Sequence, residues 1–266
     1  DVCSSDLEQR RYLVEELGVD GFKTDGGEHA WGSELIYKDG TRGIDKNNLF
    51  AKYYSQAFHE LFISLKKQAL TFSRAGFSGS QKYPAFWAGD ENSTWKAFKA
   101  SINAGITASA SGFFFWGWDI GGFSGEVPSP ELYLRSTAMS IFTPIMQIHS
   151  EFNHHSDPSN DRTPWNIAER HGDPTIATDF SYLYECRKKL LPYLIREGKF
   201  AIATGRPLMA GLFFDYADDP EIWNASHQFM CGRSILVAPV TDPGMVSVKV
   251  YLPKGSWKDF WSENVY

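Results

Sequence analysis

Cysteine is scarce in this 266-residue chain. The three present, Cys3, Cys186 and Cys231, are far apart and odd in number. They form no disulfide framework and match no metal-ligand spacing, so buried or incidental thiols are expected. No apolar run is long enough to span a bilayer, and the first residues carry no basic-then-apolar secretory pattern. Basic blocks are missing too. Lys and Arg number 26 against 32 Asp and Glu, a net charge of −6, which argues against nucleic acid or an anionic membrane as partner. No strand-like run leads into a Gly-rich dinucleotide fingerprint or an anion-binding loop. That weakens both a doubly wound nucleotide-binding fold and a phosphate-binding barrel enzyme. No internal repeat is visible.

Aromatic residues, at 15%, are plentiful. They suit either a large core or a site that stacks on sugar rings. The stretch around which the rest is arranged is GVDGFKTDGGE, Gly18 to Glu28. Val19 to Phe22 reads as a buried strand that stops at Asp25 before two glycines. Asp-Gly is a common turn dipeptide, but a carboxylate at a buried strand's end is also how a catalytic Asp sits on a βα-loop.

The chain then repeats one rhythm. Glu8 to Leu17 reads as an amphipathic helix stopped by Gly18. After a polar loop, Gly26 to Asn47, a helix is expected over Asn48 to Gln68 and a strand over Ala69 to Ser73, ending at Arg74. Phe86-Trp87-Ala88 is a strand ending at Asp90. The helix Trp95 to Ala110 follows, capped by Ser93 or Thr94. Gly112 to Trp116 is a strand leading to Asp119, the helix Glu131 to Ile141 comes next, and a short segment ends at His149. Strand, loop, helix in succession means a parallel sheet, and each strand delivers one polar group at its C-terminal end. Glu151 to Thr175 reads as a loop and Asp179 to Lys199 as a long helix. Short β-like runs follow: Arg206–Phe214, Gln228–Val240, Val246–Leu252 and Ser256–Trp261. The expected fold is α/β, the C-terminal half of a (β/α)8 TIM barrel followed by the start of an all-β sandwich domain. Asp1 to Leu7 reads as a non-native leader, residues 8–203 as the partial barrel and 204–266 as the partial β-domain.

Two carboxylates at neighbouring strand ends, with an Arg and a His nearby, suit glycoside hydrolysis. Asp25 is the better nucleophile; Lys23, two residues back on the same strand face, could hold it ionised. Asp90 is the proton donor, with Trp87 as the apolar wall that would favour its acid form.

The runs GFKTDGGE, SRAGFSGSQKYPAFWAGDENSTW, GWDIGGFSG and IMQIHS resemble successive motifs of glycoside hydrolase family 31, the α-glucosidase family. FFDYADDPEIWNASHQFMCGRSILVAPV resembles the junction between that family's barrel and its proximal C-terminal β-domain. The resemblance runs from about Glu8 to the end. It implies a retaining, exo-acting α-glycosidase with no metal or organic cofactor and an α-linked oligosaccharide or glycoside as substrate. It implies Asp25 as nucleophile and Asp90 as acid/base. Arg74 and His149 would bind sugar hydroxyls, Asp119 would form the pocket floor, and Trp87 and Phe123 its aromatic wall. Two departures bear on substrate. Gln147 stands where family members typically carry Arg, and Gly26 follows the nucleophile where many α-glucosidases have a bulkier residue. Glu28, His29 and Trp31 are further candidates to line the pocket. α-Galactosides, α-xylosides and α-N-acetylgalactosaminides stay open beside α-glucosides, as does a carbohydrate-binding barrel without turnover. The 266-residue chain alone is expected to be inactive.

Overall fold

The computed structural model describes residues 2–151 and 157–266. Four short parallel strands form one sheet in chain order: β1 (Phe22–Thr24), β2 (Thr71–Ser73), β3 (Ala85–Trp87) and β4 (Trp116–Gly117). The register pairs Lys23 with Phe72, Ser73 with Phe86, and Trp87 with Gly117. Beyond β4, Asp119 forms a parallel bridge with Gln147, and Ile120 N–H donates to the Gln147 carbonyl at 3.1 Å. The segment before His149 thereby continues the sheet.

Side chains alternate across these strands, which separates structure from chemistry. Thr24 and Ser73 point to one face, where their hydroxyls lie 2.6 Å apart and the Ser55 hydroxyl donates to Ser73. Lys23 and Phe72 point to the other. Between the strands run α3 (Leu49–Ser64) and α4 (Trp95–Ala110), and α5 (Pro130–Ser140) follows β4. Thr94 caps α4 through its hydroxyl, accepting from Ala97 N–H, and Ser129 caps α5 through Leu132 N–H. The first helix, α1, spans Val2–Glu15 and so takes in the stretch read as a leader; Gly18, at φ +73°, turns the chain out of it. A short helix, α2 (Gly43–Lys46), lies inside the loop after β1.

Several expectations are corrected in the second half. The stretch Glu151 to Thr175 is not all loop: α6 spans Pro164–His171, with Pro at its first turn and Gly172 at φ +61° ending it. Residues 152–156 of that stretch lie outside the described residues. The helix α7 is longer than its apolar spacing suggests, Thr175–Thr204, with Pro192 inside. After Gly205 come β5 (Met209–Gly211), β6 (Phe229–Cys231) and β7 (Ile235–Val237), an antiparallel sheet in that order. Val246–Leu252 forms no strand, and Ser256–Trp261 contributes only the bridge Lys258–Val265. Apolar alternation in those runs therefore has no neighbouring strand to pair with among the described residues.

The two parts share a core. Phe98 and Ile102 of α4 and Trp116 of β4 pack with Met209, Phe229 and Val237 of the antiparallel sheet. A charged tie adds to it. Glu197 of α7, almost fully buried, takes a bidentate pair from the Arg233 guanidinium at 2.8 and 3.0 Å, and Arg233 holds its carboxyl down at about 2.

Candidate active site

Every polar group expected at a strand end lies on one side of the sheet. Arg74, just past β2, is the centre. Its Nη1 contacts Asp25 Oδ1 at 2.9 Å and Asp90 Oδ2 at 3.2 Å, and its Nη2 pairs with Glu28 Oε1. One guanidinium nitrogen touching both carboxylates keeps their nearest oxygens no more than about 6 Å apart, compatible with the ~5–5.5 Å of retaining glycosidases. Burial works against the Arg74 charge, but Glu28, Asp25 and Asp90 outweigh it and its pKa is raised.

Backbone geometry aims Asp25. Gly26, at φ +81°, turns the chain so that its N–H donates to Asp25 Oδ1 at 2.8 Å. The Tyr54 hydroxyl of α3 donates to the Asp25 carbonyl at 2.9 Å. A side chain at Gly26 would press on His29, whose ring lies 2.9 Å from the site of a Cβ. The small residue after Asp25 is required by the left-handed turn at φ +81°, since the exposed His29 ring could swing aside.

Lys23 plays a different part from the one expected. The cation paired with Asp25 is Arg74. The Lys23 ammonium sits 4.4 Å from the centroid of the Trp87 ring and acts electrostatically on Asp119 and His149. Trp87 is correspondingly 2% exposed. Its ring is covered by Lys23 and lies 5.0 Å from the Phe72 ring. Asp90 itself is half exposed beside Arg74. The Phe123 ring lies 4.9 Å from the His149 ring, tilted by 36°. Burial pushes His149 below its ordinary pKa, Lys23 adds to this, and Asp90 and Asp25 oppose it. Neutral imidazole can both donate and accept toward a hydroxyl.

Asp119 is fully buried. Its Oδ1 accepts from Gln147 Nε2 at 2.5 Å, while Oδ2 has no hydrogen-bond partner among the described residues. Burial lifts its pKa to about 6 against the pull of Lys23 and Gln147. Gln147, the sequence departure, is therefore the neutral group that holds the floor carboxylate. Among the described residues no group of metal-ligating side chains is found.

The loops after β3 and β4 are zipped together. Phe123 and Ser124 N–H both donate to the Glu91 carbonyl, and Ser93 N–H donates to Ser124. Arg162, which the sequence reading did not single out, lies behind them and is fully buried. An Arg within a polar run before Pro-Trp gives no sequence signal of burial.

Residues 5–197 match the model of the glycosyl hydrolases family 31 TIM-barrel domain, and residues 205–266 that of the family's C-terminal domain. The chain belongs to glycosyl hydrolase family 31. Within that family it is 54% identical over 255 residues to the 1,3-alpha-isomaltosidase of Kribbella flavida, covering 96% of this chain and 35% of that protein. It is 42% identical over 255 residues to the isomaltosyltransferase of Sporosarcina globispora, covering 96% of this chain and 23% of that protein. The cycloalternan-degrading enzyme from Trueperella pyogenes, solved in complex with isomaltose, matches with a TM-score of 0.96 and 52% identity, covering 99% of this chain and 38% of that one. This family 31 chain thus spans well under half the length of the relatives it matches. Its four parallel strands and its antiparallel sheet are parts of a family 31 barrel and of the β-domain that follows.

Proposed function

We propose that the protein carrying this chain is a retaining α-glycosidase that acts on isomaltosyl groups in α-linked glucans. The supporting observation is the meeting of Asp25 and Asp90 at one nitrogen of Arg74. In the first step an Asp25 oxygen attacks the anomeric carbon, the bond to the leaving oxygen breaks, and Asp90 gives that oxygen its proton. In the second, Asp90 takes a proton from water, the water oxygen bonds to the anomeric carbon, and the ester to Asp25 breaks. Two inversions leave the α-configuration. Arg74 gives up one of its carboxylate contacts as sugar hydroxyls enter, and His149 and Phe123 border the same sugar.

The sugar assignment comes from relatives at 42–54% identity, named for isomaltosyl release and transfer. The transferase relative supports a second reading, in which an acceptor sugar hydroxyl replaces water in the second step. The same residues serve both.

The test uses the full-length protein on p-nitrophenyl α-isomaltoside, α-glucoside, α-xyloside, α-galactoside and α-N-acetylgalactosaminide, with added isomaltose as acceptor. The isomaltoside is expected to be preferred, with the α-anomer as first product. Asp25→Ala should abolish turnover, and azide should restore it as the β-glycosyl azide. Preference for another glycoside would replace the sugar, longer oligosaccharides with isomaltose would mean transfer, and binding without turnover would leave a carbohydrate-binding barrel.

A further inference from the structure

We infer that Arg162 is the positioning residue of the acid/base, a buried clamp that fixes the loop bearing Asp90 against the loops bearing Phe123 and His149. The inference rests on the glycosidase reading above. Arg162 is fully buried, and its bonds go to hydroxyls and carbonyls of separate segments. Nη2 donates to the Gly125 carbonyl at 2.8 Å, and Nη1 to the Asn160 carbonyl at 2.7 Å. Nε and Nη2 reach Ser93 Oγ at 3.4 and 3.3 Å. Its own N–H donates to Ser150 Oγ at 2.7 Å, and its carbonyl accepts from the Tyr133 hydroxyl at 2.8 Å.

Those partners bracket the chemistry. Ser93 is three residues past Asp90, Gly125 two past Phe123, and Ser150 adjoins His149. Burying a guanidinium without a carboxylate bonded to it is costly, and burial lowers the Arg162 pKa accordingly. A neutral side chain would serve a core at less cost. A planar group with five donors can tie a carbonyl and a hydroxyl of two other segments to its own segment at once. The loops it holds are close-packed: a Cβ on Gly122 would lie 2.6 Å from the Ser93 Cα. A loosened clamp therefore moves the Asp90 loop as a unit, and displacements of about 1 Å cost on the order of 100-fold in rate.

A merely structural Arg would slow all substrates alike. A clamp on the acid/base slows the first step, which kcat/KM reports, only for substrates that need a proton on the leaving group; the second step, where Asp90 acts as base, is common to both. The experiment compares full-length wild type, Arg162→Lys, Ser93→Ala and Asp90→Ala on an isomaltosyl oligosaccharide and on α-isomaltosyl fluoride, whose fluoride leaves unprotonated. Lysine keeps the charge but loses the fork. Arg162→Lys is expected to lose about 100-fold in kcat/KM on the oligosaccharide and less than about 10-fold in kcat/KM on the fluoride. Ser93→Ala, which removes one acceptor and spares the buried cation, should show the same selectivity to a smaller extent, and it decides the matter where Arg162→Lys does not fold. Equal losses on both substrates by the folded variants would overturn the inference. If Asp90→Ala fails to discriminate between the two substrates, the acid/base reading fails instead. Discrimination by Asp90→Ala alone sinks the clamp and leaves the glycosidase intact.

Discussion

At the scale of single residues, the site is a contest between burial and charge, and Asp119 shows it most directly. The carboxyl has one neutral donor, Gln147, and its pKa is lifted to about 6 from an ordinary 3.8. Between those values the folded protein keeps the proton that the unfolded chain has released. Stability therefore falls as pH rises from about 4 to about 6, by at most about 3 kcal/mol for a shift of this size. Asp119→Asn has no proton to lose. Urea unfolding at pH 4, 5, 6 and 7 should show wild type losing stability relative to Asp119→Asn across this window, with a constant difference above it. A difference independent of pH would mean that Asp119 is ionised throughout. At this scale the sequence was legible where a side chain ends a strand: Asp25, Arg74 and Asp90 were expected at neighbouring strand ends, and the structure brings the three together. It was not legible where three-dimensional neighbours decide the role. Trp87 and Lys23 are stacked on each other, a contact between two strands that spacing along one strand cannot reveal. Beyond its own turn, Arg162 bonds to segments 12 to 69 residues away.

Elements show the same division. The helix α4 was readable to the residue because its signals are local: a Ser or Thr cap at its start and helical apolar spacing. The strands were readable only approximately, since ladder pairing, not composition, sets their ends; Phe113 and Phe115 pack into the core without joining β4. The helix α6 was hidden by a polar sequence whose apolar residues are few. What matters for chemistry is how the elements' loops meet, and Gly122 sits at the closest point. Its φ of +93° disfavours any side chain, and a Cβ would press on Ser93 backbone at 2.6 and 2.7 Å, where no rotamer can give way. Gly122→Ala is expected to cost roughly 2–4 kcal/mol, the range of backbone strain combined with overpacking. It should also lower kcat, because the yielding segment carries Asp90. Thermal unfolding together with steady-state kinetics would check this; a variant with wild-type melting and turnover would mean the two loops separate freely.

For the whole molecule, the governing fact is an open sheet. Parallel strands buried in a (β/α)8 barrel have no edges, because the barrel closes on itself. Here, among the described residues, β1 is paired on one side only, and its Lys23 side chain is exposed to solvent. Large apolar side chains near the strand ends are exposed as well, among them Trp31, at 72%, and Ile36 and Ile44. The Asp25–Arg74–Asp90 arrangement is held by ion pairs at the mouth of this sheet, where Asp25 is mostly exposed to water. A water-exposed carboxylate gains little from preorganised electrostatics, since solvent screens the charge that develops in the transition state. The 266 residues alone are therefore expected to turn over p-nitrophenyl α-isomaltoside at less than about a thousandth of the full-length rate, and to self-associate through the open sheet. Co-expression with a segment that supplies the remaining barrel strands should raise turnover and abolish the association together, read by kinetics and sedimentation. Turnover by the lone chain within tenfold of the full-length protein would show that barrel closure is not needed for catalysis, and that the strand-end cluster is preorganised by its own loops.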